Sequence, residues 1–191
     1  MISKSELDIW PVQWLGLHRN YLVDGEMDVL AALLRGVRAE TVAEFGCRDG
    51  RTARVLMQNV PSIMRYIGVD VPMSYHPGLS HQRNEMVTSP GILARHIPQF
   101  ELMIREHGTF DLTPADLGTL DAVFIDGDHS EDVVSFDSVL ARTVVRTGGV
   151  IIWHDAQNGA VEVRRVLDRL IAEYWPIQNI EGTWLAAMWK E

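Results

Sequence analysis

The chain has 191 residues, a length that suits one domain, and 47% of them are hydrophobic, so it can bury a core. Its 17 Lys and Arg stand against 26 Asp and Glu, a formal net charge of −9, which argues against a nucleic-acid protein built on a broad basic face. No apolar run approaches the roughly 20 residues of a membrane span, the N-terminus lacks an apolar signal segment, and the single Cys47 excludes an internal disulfide. We therefore expect a soluble, cytoplasmic protein that binds neither nucleic acid nor membrane.

The first 24 residues differ from the rest of the chain. They contain Trp10 and Trp14 among polar side chains, and we expect residues 1–24 to form an N-terminal arm ahead of a single domain over residues 25–191. The two tryptophans could cover a pocket or a contact between two copies of the chain. A homodimer is therefore among the expectations.

Strand and helix patterns alternate along the domain. Helices are predicted from apolar residues at helical spacing, around 30–37, 51–59, 130–144 and 163–174. Strands are predicted from short apolar runs that end at turn residues, at 41–45, 66–70, 100–104, 121–126, 150–153, 177–180 and 184–189. Such alternation indicates a parallel sheet with helices on both faces. The last two strands leave no room for a helix between them and are expected to pair as a hairpin.

Residues 71–98 interrupt this alternation. The segment contains four prolines and several histidines and reads as a long connection that carries at most one helix. Long connections in compact domains are often functional. The segment is therefore either a lid or substrate loop, or a plain surface excursion.

A glycine loop follows the first predicted strand. The sequence E-F-G-C-R-D-G covers residues 44–50, and Asp70 ends the second predicted strand. Glycines allow a sharp turn and a close approach to a ligand, and the following helix offers free N–H groups. The G-x-x-x-G spacing is not the G-x-G-x-x-G of dinucleotide sites, and an acid at the position of Asp70 can accept hydrogen bonds from both ribose hydroxyls.

The loop and the acid together resemble the first two motifs of the class I S-adenosylmethionine-dependent methyltransferases. The resemblance implies a Rossmann-like, doubly wound α/β fold with seven strands in the order 3-2-1-4-5-7-6, the last antiparallel. It implies that the loop holds the methionine part of the cofactor, that Asp70 holds the ribose and that the segment after strand three meets the adenine. The implied cofactor-binding residues are Glu44, Gly46, Cys47, Gly50, Asp70, Val71, Thr109, Phe110 and Asp126.

Acidic residues and histidines also follow the fourth and fifth predicted strands. Asp126-Gly-Asp128-His129 follows the fourth strand, and His154-Asp155 ends the fifth. In the expected order these strands are neighbours, about 4.8 Å apart. Carboxylates that meet repel each other unless a proton or cation lies between them, and a hard divalent ion suits such a site. The alternative is that Asp128 caps a turn and Asp126 binds loop amides.

The F-I-D-G-D-H sequence with the later H-D is similar to a metal-dependent subgroup, the catechol and sugar or macrolide O-methyltransferases. This similarity implies that Asp126 and Asp155 bind a divalent ion. The chain departs from the subgroup in two places, because Ala156 replaces a catechol-type Asn and His154 replaces a sugar-type acid. With His154 as the third ligand, a nitrogen-tolerant ion such as Mn²⁺ becomes a candidate beside Mg²⁺.

His129 lies at the position of the catalytic lysine of catechol-type enzymes, and histidine can act as a general base near neutral pH. The predicted catalytic residues are therefore His129, Asp126 and His154, and the predicted reaction is O-methylation of a small hydroxylated molecule such as a sugar, a phenol or a natural product. One alternative is an accessory or sensor protein that binds the cofactor beside a degraded metal site. Another is a metal-dependent hydrolase built on His154-Asp155, although such sites carry their ligands on helices and this pair ends a predicted strand.

Overall fold

In this computed structural model the chain folds around one seven-stranded sheet. The structure describes residues 1–14, 16–17 and 23–191, so residues 15 and 18–22 of the predicted arm lie outside the described residues. The strands are β1 (Thr41–Phe45), β2 (Arg65–Asp70), β3 (Phe100–Ile104), β4 (Leu120–Ile125), β5 (Val145–Trp153), β6 (Gln178–Asn179) and β7 (Ala186–Trp189). Their order is β3-β2-β1-β4-β5-β7-β6, with β7 antiparallel to β5 and β6 and the other pairs parallel. The predicted strand order and terminal hairpin are confirmed.

Helices cover both faces of the sheet, as the alternation of strands and helices predicted. They are α1 (Glu26–Gly36), α2 (Arg51–Asn59), α3 (Pro114–Leu117), α4 (Glu131–Val144) and α5 (Val163–Ala172). Apolar side chains of α1 and α2 pack on one face, and those of α3, α4 and α5 pack on the other. The longer strands contribute to both layers by alternation, so that Val42 faces the first and Ala43 the second. None of the described helices combines the length and apolar character that a membrane crossing needs.

Several predicted boundaries were wrong, among them the start of the first helix, which begins at Glu26, and the boundaries of β5 and of the last helix. β5 begins at Val145 and runs through Gly148 and Gly149, where a strand from residue 150 was expected. A Cβ on Gly149 would lie 2.5 Å from the carbonyl oxygen of Asp121, so glycine here permits a close approach of two strands. Tyr174, expected on the apolar face of the last helix, is 95% exposed because α5 ends at Ala172.

The described residues of the arm pack onto the domain. Ile2 forms a parallel bridge with Ile180, and the N–H of Val12 donates to Oδ1 of Asp28 at 2.8 Å. Trp10 is half exposed and stacks under the guanidinium group of Arg35, 4.5 Å from the ring centre. The described residues of the arm therefore pack on the same face of the sheet as α1.

Candidate active site

The loops after β1 and β4 touch at Gly46. Its φ is +91°, and a Cβ there would lie 2.3 Å from the carbonyl oxygen of Asp126, so any side chain would collide with backbone. β1 and β4 are the neighbouring parallel strands at which the order of the sheet reverses. Ligands of such sheets bind in the crevice at the carboxyl ends of the strands at this point.

A cleft opens at this switch point, and five of the predicted cofactor residues line it. They are Gly46, Asp70, Val71, Thr109 and Asp126. Four others, Glu44, Cys47, Gly50 and Phe110, are absent from the described lining of the cleft. Phe110 is half exposed and stacks on Phe136 with ring centres 4.8 Å apart.

The carboxylate of Asp70 closes the turn of the glycine loop. One oxygen accepts the backbone N–H of Arg48, and the other accepts the N–H of Val71 at 2.7 Å. Burial raises the pKa of Asp70, and these two backbone donors oppose that effect. Each carboxylate oxygen can accept a further hydrogen bond, so Asp70 retains acceptor capacity at the cleft.

Two predicted cofactor residues, Glu44 and Cys47, are buried and do not belong to the described lining of the cleft. Glu44 is 1% exposed and accepts the hydroxyl of Tyr66 at 3.0 Å. Burial and the charge of Asp126 raise the pKa of Glu44 well above its ordinary value. Burial, with Asp70 nearby, likewise raises the pKa of the Cys47 thiol, which fits a packing role and not that of a nucleophile.

The segment over residues 71–98 forms one wall of the cleft. It carries one short 3-10 helix, Ser80–Glu85, and binds the loop after β4 at two places. Oδ2 of Asp128 accepts the hydroxyl of Tyr75 at 2.9 Å and the N–H of Gly78 at 2.8 Å. Asp128 therefore holds two loops together, and its Oδ1 also accepts the N–H of Ser130 at 2.9 Å, which is the turn cap that the sequence left open as an alternative.

Gln82 provides the second attachment of this segment. Its amide nitrogen donates to the carbonyl of Gly127 at 3.0 Å, and its amide oxygen accepts the N–H of His129 at 2.9 Å. The side chain is 7% exposed. The backbone beside the cleft thus depends on one amide from the long connection.

We expect Gln82→Ala to destabilise the protein and to loosen residues 71–98. The substitution leaves one buried acceptor and one buried donor unpaired, at about 1–3 kcal/mol for each group. Chemical denaturation measures the free energy of unfolding, and hydrogen exchange measures opening of the segment. Gln82→Glu keeps the acceptor for the N–H of His129 but sets a second oxygen against the carbonyl of Gly127, so it is expected to destabilise the protein as well. An unchanged denaturation midpoint for Gln82→Ala would contradict the role of this amide.

Four side chains that follow β4 and β5 meet beside the cleft. They are Asp126, His129, His154 and Asp155, here called the acid–histidine cluster. Nδ1 of His154 lies 3.1 Å from Oδ1 of Asp126 and 3.3 Å from Oδ2 of Asp155. His129 presents Nε2 to Oδ1 of Asp126 at 3.4 Å and Nδ1 to Oδ2 of Asp155 at 3.3 Å. The structure therefore brings together every predicted catalytic and metal-binding residue.

The cluster attracts positive charge. Burial opposes the charged forms, yet His154 and His129 together hold the pKa of Asp126 well below its ordinary value. His154 and His129 also lower the pKa of Asp155 against the effect of burial. Conversely, burial would lower the pKa of both histidines, but the carboxylates raise it, and they raise that of His154 well above its ordinary value.

The donor atoms of the cluster fit a divalent ion. Within the described part of the chain, two buried ring nitrogens, Nδ1 of His154 and Nε2 of His129, have no hydrogen-bond partner. The carboxylate oxygens near them are close enough but not in a direction that a hydrogen bond allows. Neighbouring ligands on an octahedral ion with bonds of about 2.1 Å lie about 3.0 Å apart, close to the contacts of His154. One donor atom from each of Asp126, His154 and Asp155 lies within 4.8 Å of the others.

Sequence reasoning missed two carboxylates of this region. Glu26 is completely buried, and Oε2 lies 3.2 Å from Nε2 of His154. Asp137 is 1% exposed, lines the cleft and accepts the hydroxyl of Thr109. Both acids continue the apolar stripe of an amphipathic helix, since Glu26 is four residues before Leu30 and Asp137 is three before Leu140. A charge on an otherwise apolar helix face was the signal that could have identified them.

Comparison with known protein families gives a match that includes this site. Residues 43–156, more than half of the chain, match the family model described as a methyltransferase domain. This range contains the glycine loop, Asp70 and the acid–histidine cluster. No curated protein matches the chain.

Several solved structures share the fold. Cofactor-bound Rv0187 from MTB is 20% identical, with 92% of this chain and 84% of that chain covered and a TM-score of 0.62. The O-methyltransferase TomG from Streptomyces achromogenes, in complex with SAM, is 16% identical, with 98% and 94% covered and a TM-score of 0.61. An O-methyltransferase from Bacillus cereus, in complex with SAH, is 16% identical, with 91% and 84% covered and a TM-score of 0.59. At these identities the likeness shows the shared fold.

Proposed function

The chain belongs to the methyltransferase domain family, and from this premise we propose that it is an S-adenosylmethionine-dependent O-methyltransferase that uses a divalent ion and acts on a small hydroxylated molecule. The observation that carries the proposal is the position of Asp126. This residue lines the cleft and also contacts His129 and His154. One carboxylate thus joins the cleft to a group of titratable side chains, where a methyl donor and an acceptor would meet.

The cleft suits the cofactor in two respects. Asp70 offers acceptor oxygens for ribose hydroxyls at the end of β2, and Gly46 permits close approach of a ligand to the loop after β1. The solved structures of TomG and of the Bacillus cereus enzyme are described as complexes with SAM and SAH. These two facts support S-adenosylmethionine as the methyl donor.

We expect Asp70→Ala to weaken binding of S-adenosylhomocysteine by at least about 100-fold. The substitution removes acceptors for two hydroxyl groups, and hydrogen bonds to a charged group contribute about 1.5–3 kcal/mol each. Calorimetric titration measures the affinity. The control is Asp116→Asn, which neutralises an exposed carboxylate on α3 that accepts the N–H of Thr113. This variant should bind S-adenosylhomocysteine like the unmodified protein. Equal affinity of Asp70→Ala and the control would contradict the ribose assignment.

The residues of the cluster suggest how the reaction proceeds. Asp126, His154 and Asp155 would hold the divalent ion, which when bound lowers the pKa of a substrate hydroxyl. His129 is held between Asp126 and Asp155, and its unpaired Nε2 is the atom that takes the hydroxyl proton. The substrate oxygen forms a bond to the methyl carbon while the carbon–sulfur bond breaks, which yields a methyl ether and S-adenosylhomocysteine. Positioning of the two reactants supplies much of the rate.

The main alternative is an accessory or sensor protein that binds the cofactor without catalysis. Ala156 is the specific observation in its favour, because this buried residue stands where catechol-type enzymes have an asparagine. The hydrolase alternative is disfavoured because His154 and Asp155 follow a strand and not a helix.

Titration of S-adenosylhomocysteine, with and without Mg²⁺ or Mn²⁺, tests the proposal. We expect micromolar binding, together with a separate metal-dependent heat that Asp126→Ala abolishes. Cofactor binding without any response to metal would favour a sensor or a metal-independent enzyme. No cofactor binding would overturn the proposed function.

A further inference from the structure

We propose that Glu26 is a positioning residue that fixes the ring of His154, so that Nδ1 faces the acid–histidine cluster as a ligand for a divalent cation. The proposal rests on the metal site of the proposed function. It assigns a role to a residue of α1, outside the range that the family model matches. Glu26 and His154 are 128 residues apart in sequence.

The backbone holds the carboxylate of Glu26 in place. Oε2 accepts the N–H of Val23 at 2.8 Å, and Oε1 accepts the N–H of Trp184. These donors come from two separate segments, one before α1 and one before β7. With the side chain completely buried, the carboxylate has little freedom to turn away from its remaining contact, Nε2 of His154 at 3.2 Å.

This contact determines which nitrogen of His154 carries the proton. Oε1 and Oε2 of Glu26 both accept backbone N–H groups, and this acceptor role assigns Nε2 of His154 as the donor to Oε2. In the neutral ring Nδ1 then carries a lone pair. The Nδ1 atom lies 3.1 and 3.3 Å from carboxylate oxygens of Asp126 and Asp155, which flank its lone pair without lying along it.

A lone pair among carboxylate oxygens is repulsive unless a cation lies between them. Nδ1 of His154 makes no hydrogen bond within the described residues, so the geometry offers this atom to a cation. Histidine ligands of metals commonly donate their other N–H to a carboxylate, which orients the ring and strengthens the bond to the metal. Glu26, His154 and the cluster have this arrangement.

The experiment is titration of Mn²⁺ alone, with no cofactor, into the unmodified protein, Glu26→Gln and Asp28→Asn. The glutamine amide can donate to Nε2 and thereby favour the tautomer in which Nδ1 carries the proton. We expect Glu26→Gln to weaken Mn²⁺ binding about 10- to 100-fold, the usual effect of losing such a partner. Asp28→Asn is the matched control, because this carboxylate of the same helix turn accepts a backbone N–H, that of Val12. It should bind Mn²⁺ like the unmodified protein.

Equal Mn²⁺ affinity of Glu26→Gln and the unmodified protein would overturn the proposal. So would a failure of the unmodified protein to bind millimolar Mn²⁺, and S-adenosylhomocysteine binding in the same sample would then show that the cofactor assignment still stands. Loss of cofactor binding with the expected Mn²⁺ results would overturn the proposed function and leave the role of Glu26.

A second measurement is independent of any variant, in case Glu26→Gln unfolds. The ¹⁵N spectrum of the histidine rings in the unmodified protein, loaded with diamagnetic Zn²⁺, reports which nitrogen of His154 is protonated. We expect a protonated Nε2 and a metal-bound Nδ1. A protonated Nδ1 would overturn the proposal.

Discussion

Replacing Asp126 by asparagine is expected to lower the rate of methyl transfer by about three orders of magnitude. Asp126 contacts both histidines of the cluster and lines the cleft. The amide keeps the shape of the side chain but loses the charge that holds a cation and orients His129. A bound metal ion contributes several kcal/mol of transition-state stabilisation, and about 4 kcal/mol corresponds to a factor of about 10³.

Methyl transfer from S-adenosylmethionine to a panel of phenols and sugars, with Mn²⁺ or Mg²⁺ present, measures this effect. Asp132→Asn, an exposed carboxylate in the first turn of α4, is the control and should retain the full rate. The denaturation midpoint of Asp126→Asn shows whether the variant is folded. A folded Asp126→Asn with an unmodified rate and metal response would contradict the proposed mechanism.

Asp137→Asn is expected to stabilise the protein by several kcal/mol at pH 8 and to have little effect near pH 4. Burial raises the pKa of Asp137 from 3.8 to about 7, and its side chain is 1% exposed. Between pH 3.8 and about 7, the carboxyl group of Asp137 has lost its proton in the unfolded chain and keeps it in the folded protein. The free energy of unfolding therefore falls as the pH rises from about 4 to 7 and stays low above 7.

The free energy of unfolding of Asp137→Asn does not fall with pH in this way, because the amide has no charge to bury. At about 1.36 kcal/mol per pKa unit, the difference between the two proteins approaches about 4 kcal/mol above pH 7, as an order of magnitude. Urea denaturation at a series of pH values measures it, and groups common to both proteins cancel in the difference. Asp132→Asn should show no such growth with pH. A constant difference between Asp137→Asn and the unmodified protein would show that Asp137 titrates normally.

The fold followed from patterns that are local in sequence. Apolar runs and helical spacing located all seven strands and the four longer helices, because burial of one face imposes a period on the side chains. The short α3 and the first residues of β5 were not predicted from the sequence. With only four residues, α3 is too short to show a helical period. The glycines at 148 and 149 resemble a turn, yet the neighbouring strand approaches closely there.

Part of the candidate site was also predictable from sequence. Asp70 ends β2, and Asp126, His154 and Asp155 directly follow β4 and β5. The ends of parallel strands meet at one edge of the sheet. The expected meeting of Asp126 with His154 and Asp155 is present in the structure. The choice of metal ligands and base among these residues stays a prediction.

Patterns local to the chain predicted the strands and the edge at which ligands would bind, and the resemblance of the glycine loop and Asp70 to a known family implied the strand order. The tertiary structure alone decided which distant groups complete that edge. Glu26 reaches His154 from α1, Gln82 reaches the backbone of His129 from the long connection, and Asp137 reaches the cleft from α4. The physical reason is that a buried polar group is stable only when it finds a partner, and packing of the whole chain decides which partner lies within reach.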